Sequence, residues 1–325
     1  MATMKEDEIY HEPVLVEEIT RWLAPPPGGV VFDLTVGGGG HVAALLAISS
    51  ADVRVYGVDR DLTAVSRVRE RFRNTPQVRD IIHAPFGDLA MICGGLGVEK
   101  IDVALLDLGV SSAHLDQSAR GFSFQSDGPL DMRMDQSQTL TAHNVIRDYS
   151  FEELRKILRD FGEERNAGRI ASAIVRERER SEITSTERLR RIVESASPRE
   201  HITKTLARVF QALRIAVNDE LGQLSRALTS VVDMLAYGGR VGVISYHSLE
   251  DRLVKNSFRD AANPCVCPLS APVCVCGRTA TLRILTKKPI VPTPEEVARN
   301  PRSRSAKFRV AERISPAPAG RGKLQ

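Results

Sequence analysis

Residues 30–41 constrain the fold more than any other part of the chain. They begin with an apolar run at 30–32, pass through Asp33 and end in four consecutive glycines, 37–40, and a histidine. A short run rich in β-branched and aromatic residues is typical of a buried parallel strand. Glycines after such a strand allow a sharp turn, so that a ligand meets main-chain N–H groups at the start of the next helix. The stretch therefore predicts a strand, a bend and a helix over about 41–48, which together frame a nucleotide-type pocket.

The next predicted strand, residues 54–59, indicates which nucleotide this pocket binds. It ends at Asp59, roughly twenty residues after the glycines, the offset at which a carboxylate reaches a ribose hydroxyl pair. NAD and S-adenosylmethionine both carry that ribose. A pyrophosphate binds G-x-G-x-x-G without a nearby negative charge, whereas Asp33 suits a cationic sulfonium with an amino-acid tail. The pattern favours S-adenosylmethionine over NAD, and a glycine turn without any ligand is the structural alternative.

The remaining chain continues an α/β alternation that is interrupted once. Short apolar strands are predicted at 81–83, 101–108 and 240–246, with a helix-rich stretch before the last of them. One long amphipathic pattern runs over about 206–235. We therefore predict an α/β fold, a doubly wound sheet with an inserted helical domain. The predicted parts are 1–112 for the first part of the core, 113–215 for the insertion, 216–315 for the second part of the core and 316–325 for a flexible basic tail.

Composition and charge indicate the cellular location of the protein and its possible partners. Its 325 residues exceed one typical domain, and 42% hydrophobic and 26% charged residues are ordinary for a soluble globular protein. No apolar run is long enough to cross a bilayer, and residues 1–8 lack the apolar core of a secretory signal. We predict a cytoplasmic protein with no membrane association. The net charge is only +4, but basic residues predominate from Arg299 onward, as in a solvated tail or a phosphate-contacting edge.

Four of the five cysteines form two pairs that could bind a metal ion. Cys265 and Cys267 form one C-x-C pair, Cys274 and Cys276 form another, and Cys93 stands apart. A cytoplasmic location argues against disulfides, and four neighbouring thiolates could hold a structural zinc ion. The C-x-C spacing is tighter than the usual C-x-x-C. We therefore assign no metal ligand at this point and keep zinc as an alternative.

An ordered set of motifs extends over nearly the whole chain. They are GGGH at 38–41, VDRD at 58–61, LLDLGVSS at 105–112, RGFSF at 120–124, DGPLDMRMD at 127–135, GEER at 162–165, ISYHSLEDR at 244–252 and NPRSRS at 300–305. Each motif is weak alone, but the ordered set closely resembles the bacterial ribosomal RNA small-subunit methyltransferase H family, also called MraW.

This resemblance implies a fold, a reaction and a set of site residues. The fold is the Rossmann-like sheet of S-adenosyl-L-methionine methyltransferases, with the inserted helices recognising the substrate. The reaction is methylation of the exocyclic N4 of a cytidine in the decoding region of small-subunit (16S) ribosomal RNA. The partner is that RNA, within an assembled or nearly assembled small subunit, and a homodimer stays open. The cofactor contacts carried over by position are Gly39, Gly40, His41, Asp59, Phe86, Asp107 and His114, of which His114 stands where the family is expected to have glutamine.

Cytosine N4 is a poor nucleophile because its lone pair is delocalised into the ring, so acceptors must pull on its N–H groups. Many base amino-methyltransferases use a D/N-P-P-Y/F loop after the fourth strand for this purpose. Here Asp107 begins the corresponding segment, and it is the predicted catalytic residue. His247, after the fifth strand, is a second candidate for a polar contact, with a structural hydrogen bond as its alternative. Phe122 and Phe124 either stack a splayed-out base or belong to the core.

Two other functions use the same sequence features. An NAD-dependent dehydrogenase would share the strands, but no Tyr/Lys or His/Arg pair stands out for hydride chemistry. A non-catalytic RNA-binding protein would have no use for the glycine loop and Asp59. Binding of S-adenosylmethionine and not NAD, together with loss of methylation on replacing Asp59, would separate the three hypotheses.

Overall fold

The computed structural model describes residues 13–268 and 275–315. The chain forms two compact units: one comprises the residues up to Gly109 and from Gln223 onward, and the other is Val110–Gly222. The predicted insertion, 113–215, ends earlier than the second unit, because helix α10 (Ile202–Asn218) runs unbroken through residue 215. The predicted basic tail, 316–325, lies outside the described residues.

The first unit alternates strands and helices, since short apolar runs form its strands and amphipathic runs form the helices between them. Its elements before the insertion are α1 (Val16–Trp22), β1 (Val30–Asp33), α2 (Gly40–Ala47), β2 (Arg54–Asp59), α3 (Leu62–Arg71), β3 (Val78–His83), α4 (Leu89–Leu96) and β4 (Ile101–Asp107). Those after the insertion are β5 (Leu235–Ser245), α12 (Ser248–Ala262), β6 (Leu282–Ile284), α13 (Pro294–Arg299) and β7 (Lys307–Arg313).

Within the described residues the strands form one seven-stranded sheet in the order β3-β2-β1-β4-β5-β7-β6. The first five strands in this order are parallel, and β7 pairs antiparallel with both β5 and β6. Asp33 at the end of β1 lies in register with Gly57 of β2 and Leu105 of β4, so the carboxyl ends of these strands share one edge. The prediction of a doubly wound, Rossmann-like α/β sheet is confirmed.

The core covers both faces of this sheet, because successive side chains of a strand point in opposite directions. Val31 packs in a buried cluster with residues of α1, α2 and α3, whereas its neighbour Phe32 packs in a second cluster with residues of α4, α11 (Glu220–Met234) and α12. Phe32 also stacks on Tyr56 of β2, with ring centroids 4.9 Å apart. Burial on both faces explains why the parallel strands are continuous apolar runs.

The start of α1 is held by a residue from the far end of the chain. Leu15, the residue before α1, has a φ of 57°, a left-handed conformation that costs a non-glycine residue about 1–2 kcal/mol. Its backbone N–H donates to Oε1 of Glu296 in α13 at 2.7 Å. A contact between residues 281 positions apart therefore stabilises the unfavourable backbone that begins the first helix.

The second unit is helical and has its own buried core. Ser150 and Glu153 form a capping box at α7, as the sequence predicts for S-x-x-E. The long amphipathic pattern over 206–235 proves to be two helices, separated at Asp219, which has a φ of 48°. Among the described residues of the chain, no helix combines the length and hydropathy of a membrane span. The remaining helices are α5 (Ser112–Asp116), α6 (Ala142–Asp148), α7 (Phe151–Asp160), α8 (Ala167–Arg180) and α9 (Thr186–Ser195).

Candidate functional site

The bend between β1 and α2 requires glycine at particular positions. Gly37 and Gly39 have φ angles of 50° and 75°, in the left-handed region that favours glycine. A Cβ on Gly39 would lie 2.7 Å from Cε2 of Phe72, and one on Gly40 would lie 2.9 Å from Cγ of Pro13. Gly39 is also the N-cap of α2, where no side chain caps the first turn. The bend therefore presents the N-terminal backbone of a helix without a side chain in front of it.

Asp59, at the end of β2, is fixed against this bend by the backbone. Its Oδ2 accepts the N–H of Gly37 at 2.8 Å, and its Oδ1 accepts the N–H of Asp61 at 2.8 Å. Two backbone hydrogen bonds hold the carboxylate in one orientation, which is what recognition of a ribose hydroxyl pair requires. The structure therefore joins the glycine bend and Asp59 in one site, as their spacing predicts.

Asp33 is the most unusual group at this edge of the sheet. Its side chain is fully buried, Oδ1 accepts the N–H of Thr35 at 3.1 Å, and Oδ2 has no hydrogen-bond partner among the described residues. Burial raises the pKa of Asp33 to about 6; His41 and the Thr35 hydrogen bond lower it, and the nearby Asp107 and Asp59 raise it further. A buried carboxylate oxygen without a donor is unfavourable, and a cationic ligand would relieve that cost.

Asp107, at the end of β4, is positioned by three residues. Its backbone N–H donates to Oγ1 of Thr35 at 2.6 Å, and Oδ1 accepts the hydroxyl of Tyr246 at 2.9 Å. Nδ1 of His41 lies 3.8 Å from Oδ2. Nε2 of His41 is 3.0 Å from the carbonyl oxygen of Val14; because a carbonyl only accepts, Nε2 carries a proton. The carboxylate is thus oriented while 23% of its side-chain surface remains exposed.

Tyr246 and Thr35 are site residues that the sequence analysis did not assign. Burial raises the pKa of Tyr246 well above its usual value, and the adjacent Asp107 charge raises it further, so the hydroxyl remains a donor. The ring also packs on Gly109, where a Cβ would lie 3.4 Å from Cδ2 of Tyr246. The available signal was the position of Tyr246 at the end of β5, beside Asp107 at the end of β4.

Phe86 follows β3 in a short 3₁₀ turn, Phe86–Asp88. Its ring is half-buried and packs against an apolar cluster of the first unit. The backbone N–H of Gly87 donates to Oε1 of Gln223 at 3.1 Å, which holds the turn, and the N–H of Ala84 donates to the Asp59 carbonyl at 3.0 Å. An aromatic face therefore follows the strand that neighbours Asp59.

His247 makes contacts typical of a helix cap. It precedes α12, and Oε2 of Glu250 accepts the backbone N–H groups of Tyr246 and His247 at 2.9 and 3.3 Å. Nε2 of His247 lies 3.1 Å from Oε1 of the same carboxylate. These contacts order the turn that carries Tyr246, so His247 acts on the site through its neighbours.

His114, Phe122 and Phe124 belong to the helical unit and pack inside it. The buried His114 ring lies 5.0 Å from the Phe122 ring, and its Nδ1 accepts the N–H of Ser111 at 3.3 Å. Phe122 is buried, and Phe124 meets Phe210 edge-on at 5.5 Å. Both phenylalanines thus have core contacts. The cofactor contact of His114 stays a prediction.

Three carboxylates, those of Asp33, Asp59 and Asp107, meet at the ends of β1, β2 and β4. Their charges influence one another, since Asp59 and Asp107 both raise the pKa of Asp33. Such a concentration of negative charge repels a pyrophosphate and attracts a ligand with positive charge and hydroxyl groups. The arrangement therefore fits a cationic nucleoside better than a dinucleotide.

Comparison with known proteins gives consistent similarities. A sequence model of the MraW methylase family matches residues 8–314. The ribosomal RNA small subunit methyltransferase H of Caldicellulosiruptor saccharolyticus is 47% identical over 305 residues, which are 94% of this chain and 99% of that protein. The protein of the same name from Trichlorobacter lovleyi is 46% identical over 311 residues, 95% of this chain and 99% of that one. A solved rRNA methylase from Streptococcus thermophilus superposes with a TM-score of 0.38 and 12% identity, covering 92% of both chains.

Proposed function

The chain belongs to the MraW methylase family, and from this premise we propose that it transfers a methyl group from S-adenosyl-L-methionine to small-subunit ribosomal RNA. The acceptor we propose is the exocyclic N4 of a cytidine in the decoding region. The names of the relatives described above support the RNA substrate. We place the reaction in the cytoplasm, on an assembled or nearly assembled small subunit.

The choice of methyl donor rests on the buried Oδ2 of Asp33, which has no hydrogen-bond partner in the part of the chain that the structure describes. Its environment is unfavourable without a cation, and the ammonium group and sulfonium of S-adenosyl-L-methionine offer positive charge. A dinucleotide offers a pyrophosphate instead, which the three neighbouring carboxylates disfavour. The residues present therefore fit the proposed cofactor and argue against NAD.

We assign the parts of the site to parts of that cofactor. The charge of the buried Asp33 attracts the ammonium group, Asp59 binds the ribose hydroxyls, and the half-buried ring of Phe86 contacts the flat adenine. The other proposed contacts are Gly39, Gly40 and His41 at the start of α2, Asp107 at the end of β4, and His114 in the helical unit.

When bound, S-adenosyl-L-methionine supplies a methyl group already activated on a sulfonium, so the protein must mainly position the acceptor nitrogen and exclude water. Asp107 is the residue we propose to act on that nitrogen. Its partly exposed carboxylate accepts an N–H of the amine, which draws the nitrogen lone pair out of conjugation with the ring. Tyr246 and Thr35 hold Asp107 in place and are positioning residues. As the N–C bond forms, the bond between the methyl carbon and the sulfonium sulfur breaks to leave a neutral thioether, and the nitrogen releases a proton to the carboxylate or to water.

Methyl transfer to defined subunits tests this proposal. Purified protein is incubated with methyl-labelled S-adenosyl-L-methionine and small subunits from a strain that lacks this methylation, and the RNA is digested for mass spectrometry. We expect label in N4-methylcytidine, and none with Asp59→Ala. The exposed Asp233→Ala in α11 is the matched control for loss of one carboxylate. Cofactor binding without methyl transfer to any RNA would refute the enzyme function, and binding of NAD in its place would refute the cofactor.

A further inference from the structure

Of the four cysteines at described positions, three lie in the connection between α12 and β6. Its ends meet, because the backbone N–H of Thr281 donates to the carbonyl of Ala261 at 2.9 Å. At its described positions the large apolar residues Val266 and Val275 are 63% and 86% exposed. Burial of these two side chains therefore does not stabilise the described part of the loop, which leaves that role to another kind of cross-link.

Three sulfur atoms converge inside this loop. The Sγ atoms of Cys265, Cys267 and Cys276 all lie within 4.8 Å of one another, and those of Cys265 and Cys276 are 3.9 Å apart. Zinc–sulfur bonds of about 2.3 Å in a tetrahedral site place neighbouring sulfurs about 3.8 Å apart. Sulfurs joined in a disulfide would be about 2.0 Å apart. The spacing thus matches thiolates that share a metal ion, and not a covalent bridge. Cys274 lies outside the described residues.

The backbone also contacts this cluster as it would a metal-bound sulfur. The N–H of Val275 donates to Sγ of Cys267 at 3.4 Å, the kind of hydrogen bond that a metal-bound sulfur accepts. Cys93 provides a contrast within the same chain. It is fully buried in α4, and burial raises the pKa of its thiol to about 11, so it remains a protonated apolar side chain.

We propose that Cys265, Cys267 and Cys276 bind one zinc ion that staples the loop between α12 and β6. Soft thiolates select zinc among the common divalent ions, and no redox partner is needed. Each thiol gives its proton to water as its Zn–S bond forms, so binding releases three protons and leaves one net negative charge on the cluster. The fourth coordination position belongs to a ligand outside this trio. The role is structural, because the metal supplies the cross-link that the exposed valines do not.

Metal analysis of the full-length, tag-free protein tests this site without any measurement of activity. Protein produced with added zinc should retain about one zinc per chain after desalting, and Cys265→Ser, Cys267→Ser and Cys276→Ser should each lose most of it. Cys93→Ala is the matched control and should keep the metal. Reconstitution of the metal-free parent with Co²⁺ alone should give sulfur-to-cobalt charge-transfer bands and the visible absorption of a tetrahedral site.

The cobalt spectrum needs no variant, so the proposal stays testable even if a serine variant misfolds. Hydrogen exchange gives an independent readout: removal of zinc by a chelator should speed exchange in the loop between α12 and β6 and leave the parallel strands unchanged. Three results would each overturn the proposal. They are a parent without zinc or a cobalt–thiolate band, zinc retained equally by all three serine variants, or a native mass lower by two hydrogens, which indicates a disulfide.

Discussion

Replacing Asp33 by asparagine should separate the cost of burying this carboxylate from its use in binding a cation. The substitution keeps the shape of the side chain and an oxygen that can accept the N–H of Thr35, but it removes the charge. In the parent, burial raises the pKa of Asp33 from 3.8 to about 6. Burial therefore makes the ionised form less stable than in an exposed aspartate, and a nearby ammonium group would restore part of that stability.

The sign of the stability effect follows from the raised pKa. Below about pH 4 Asp33 is protonated in both the folded and the unfolded state, so it makes no pH-dependent contribution. Between about pH 4 and pH 6 the unfolded state ionises first, and the free energy of unfolding falls as pH rises. The shift from 3.8 to about 6 corresponds to a loss of about 3 kcal/mol, which is complete above that window. Asp33→Asn should lack this decline.

Cofactor affinity should change in the opposite direction with pH. With a pKa of about 6, Asp33 is about nine-tenths ionised at pH 7 and about one-tenth ionised at pH 5. Isothermal titration of S-adenosyl-L-methionine should therefore show affinity about tenfold weaker at pH 5 than at pH 7. Asp33→Asn should bind about ten- to a hundredfold more weakly at pH 7, because it removes a buried negative charge near the ammonium group, and its affinity should depend little on pH.

The exposed carboxylate Asp233, replaced by asparagine, controls for removal of one negative charge from the same unit. Two results would refute the reasoning. One is a parent whose affinity is the same at pH 5 and pH 7, and the other is an Asp33→Asn variant that retains the tenfold change. Either would mean that the buried carboxylate does not meet the cation.

Three further substitutions test other parts of the molecule. Gly39→Ala should weaken S-adenosyl-L-methionine binding by about tenfold or more, because the left-handed backbone alone costs about 1–2 kcal/mol. Gly94→Ala, at an open position on α4, should instead raise thermal stability slightly. Equal effects of the two substitutions on binding would contradict this prediction. Tyr246→Phe should lower kcat about ten- to a hundredfold with little change in KM. Tyr237→Phe, at an exposed position, should leave kcat and KM unchanged. A change in KM alone for Tyr246→Phe would contradict the positioning role. Phe122→Ala should lower the free energy of unfolding by about 3–5 kcal/mol in chemical denaturation; full stability with weakened RNA binding would instead favour base stacking.

The sheet and part of the site could be predicted because they depend on local patterns. Asp33, Asp59 and Asp107 each end an apolar run, and the ends of parallel strands share an edge, so their proximity follows from the sequence. Thr35 and Tyr246 could not be assigned in this way. Their contacts with Asp107 cross 72 and 139 residues and depend on side-chain directions that spacing does not encode.

Two other differences between the sequence-based predictions and the structure have physical causes. The apolar pattern over 206–235 continues through Asp219 because α10 and α11 each bury an apolar stripe, and an aspartate in the left-handed conformation gives little warning of the break. The predominance of basic residues from Arg299 onward predicts a solvated tail or a phosphate-contacting edge. Several of them instead lie in β7, where Lys307 and Arg309 contact the Asp251 carboxylate at 3.3 and 2.7 Å. These ion pairs depend on tertiary contacts, which a count of charges along the sequence does not include.

The hydrogen bond between Leu15 and Glu296 has a consequence for the order in which the protein matures during synthesis. Val14, next to Leu15, holds His41 at the glycine bend, so this edge of the pocket depends on a carboxylate that is translated 281 residues after Leu15. A nascent chain still lacking α13 can pair its early strands, but the segment that braces His41 has not yet received its anchor. This part of the pocket is therefore complete only after α13 has been made, and premature termination before α13 would weaken a site whose residues are encoded much earlier.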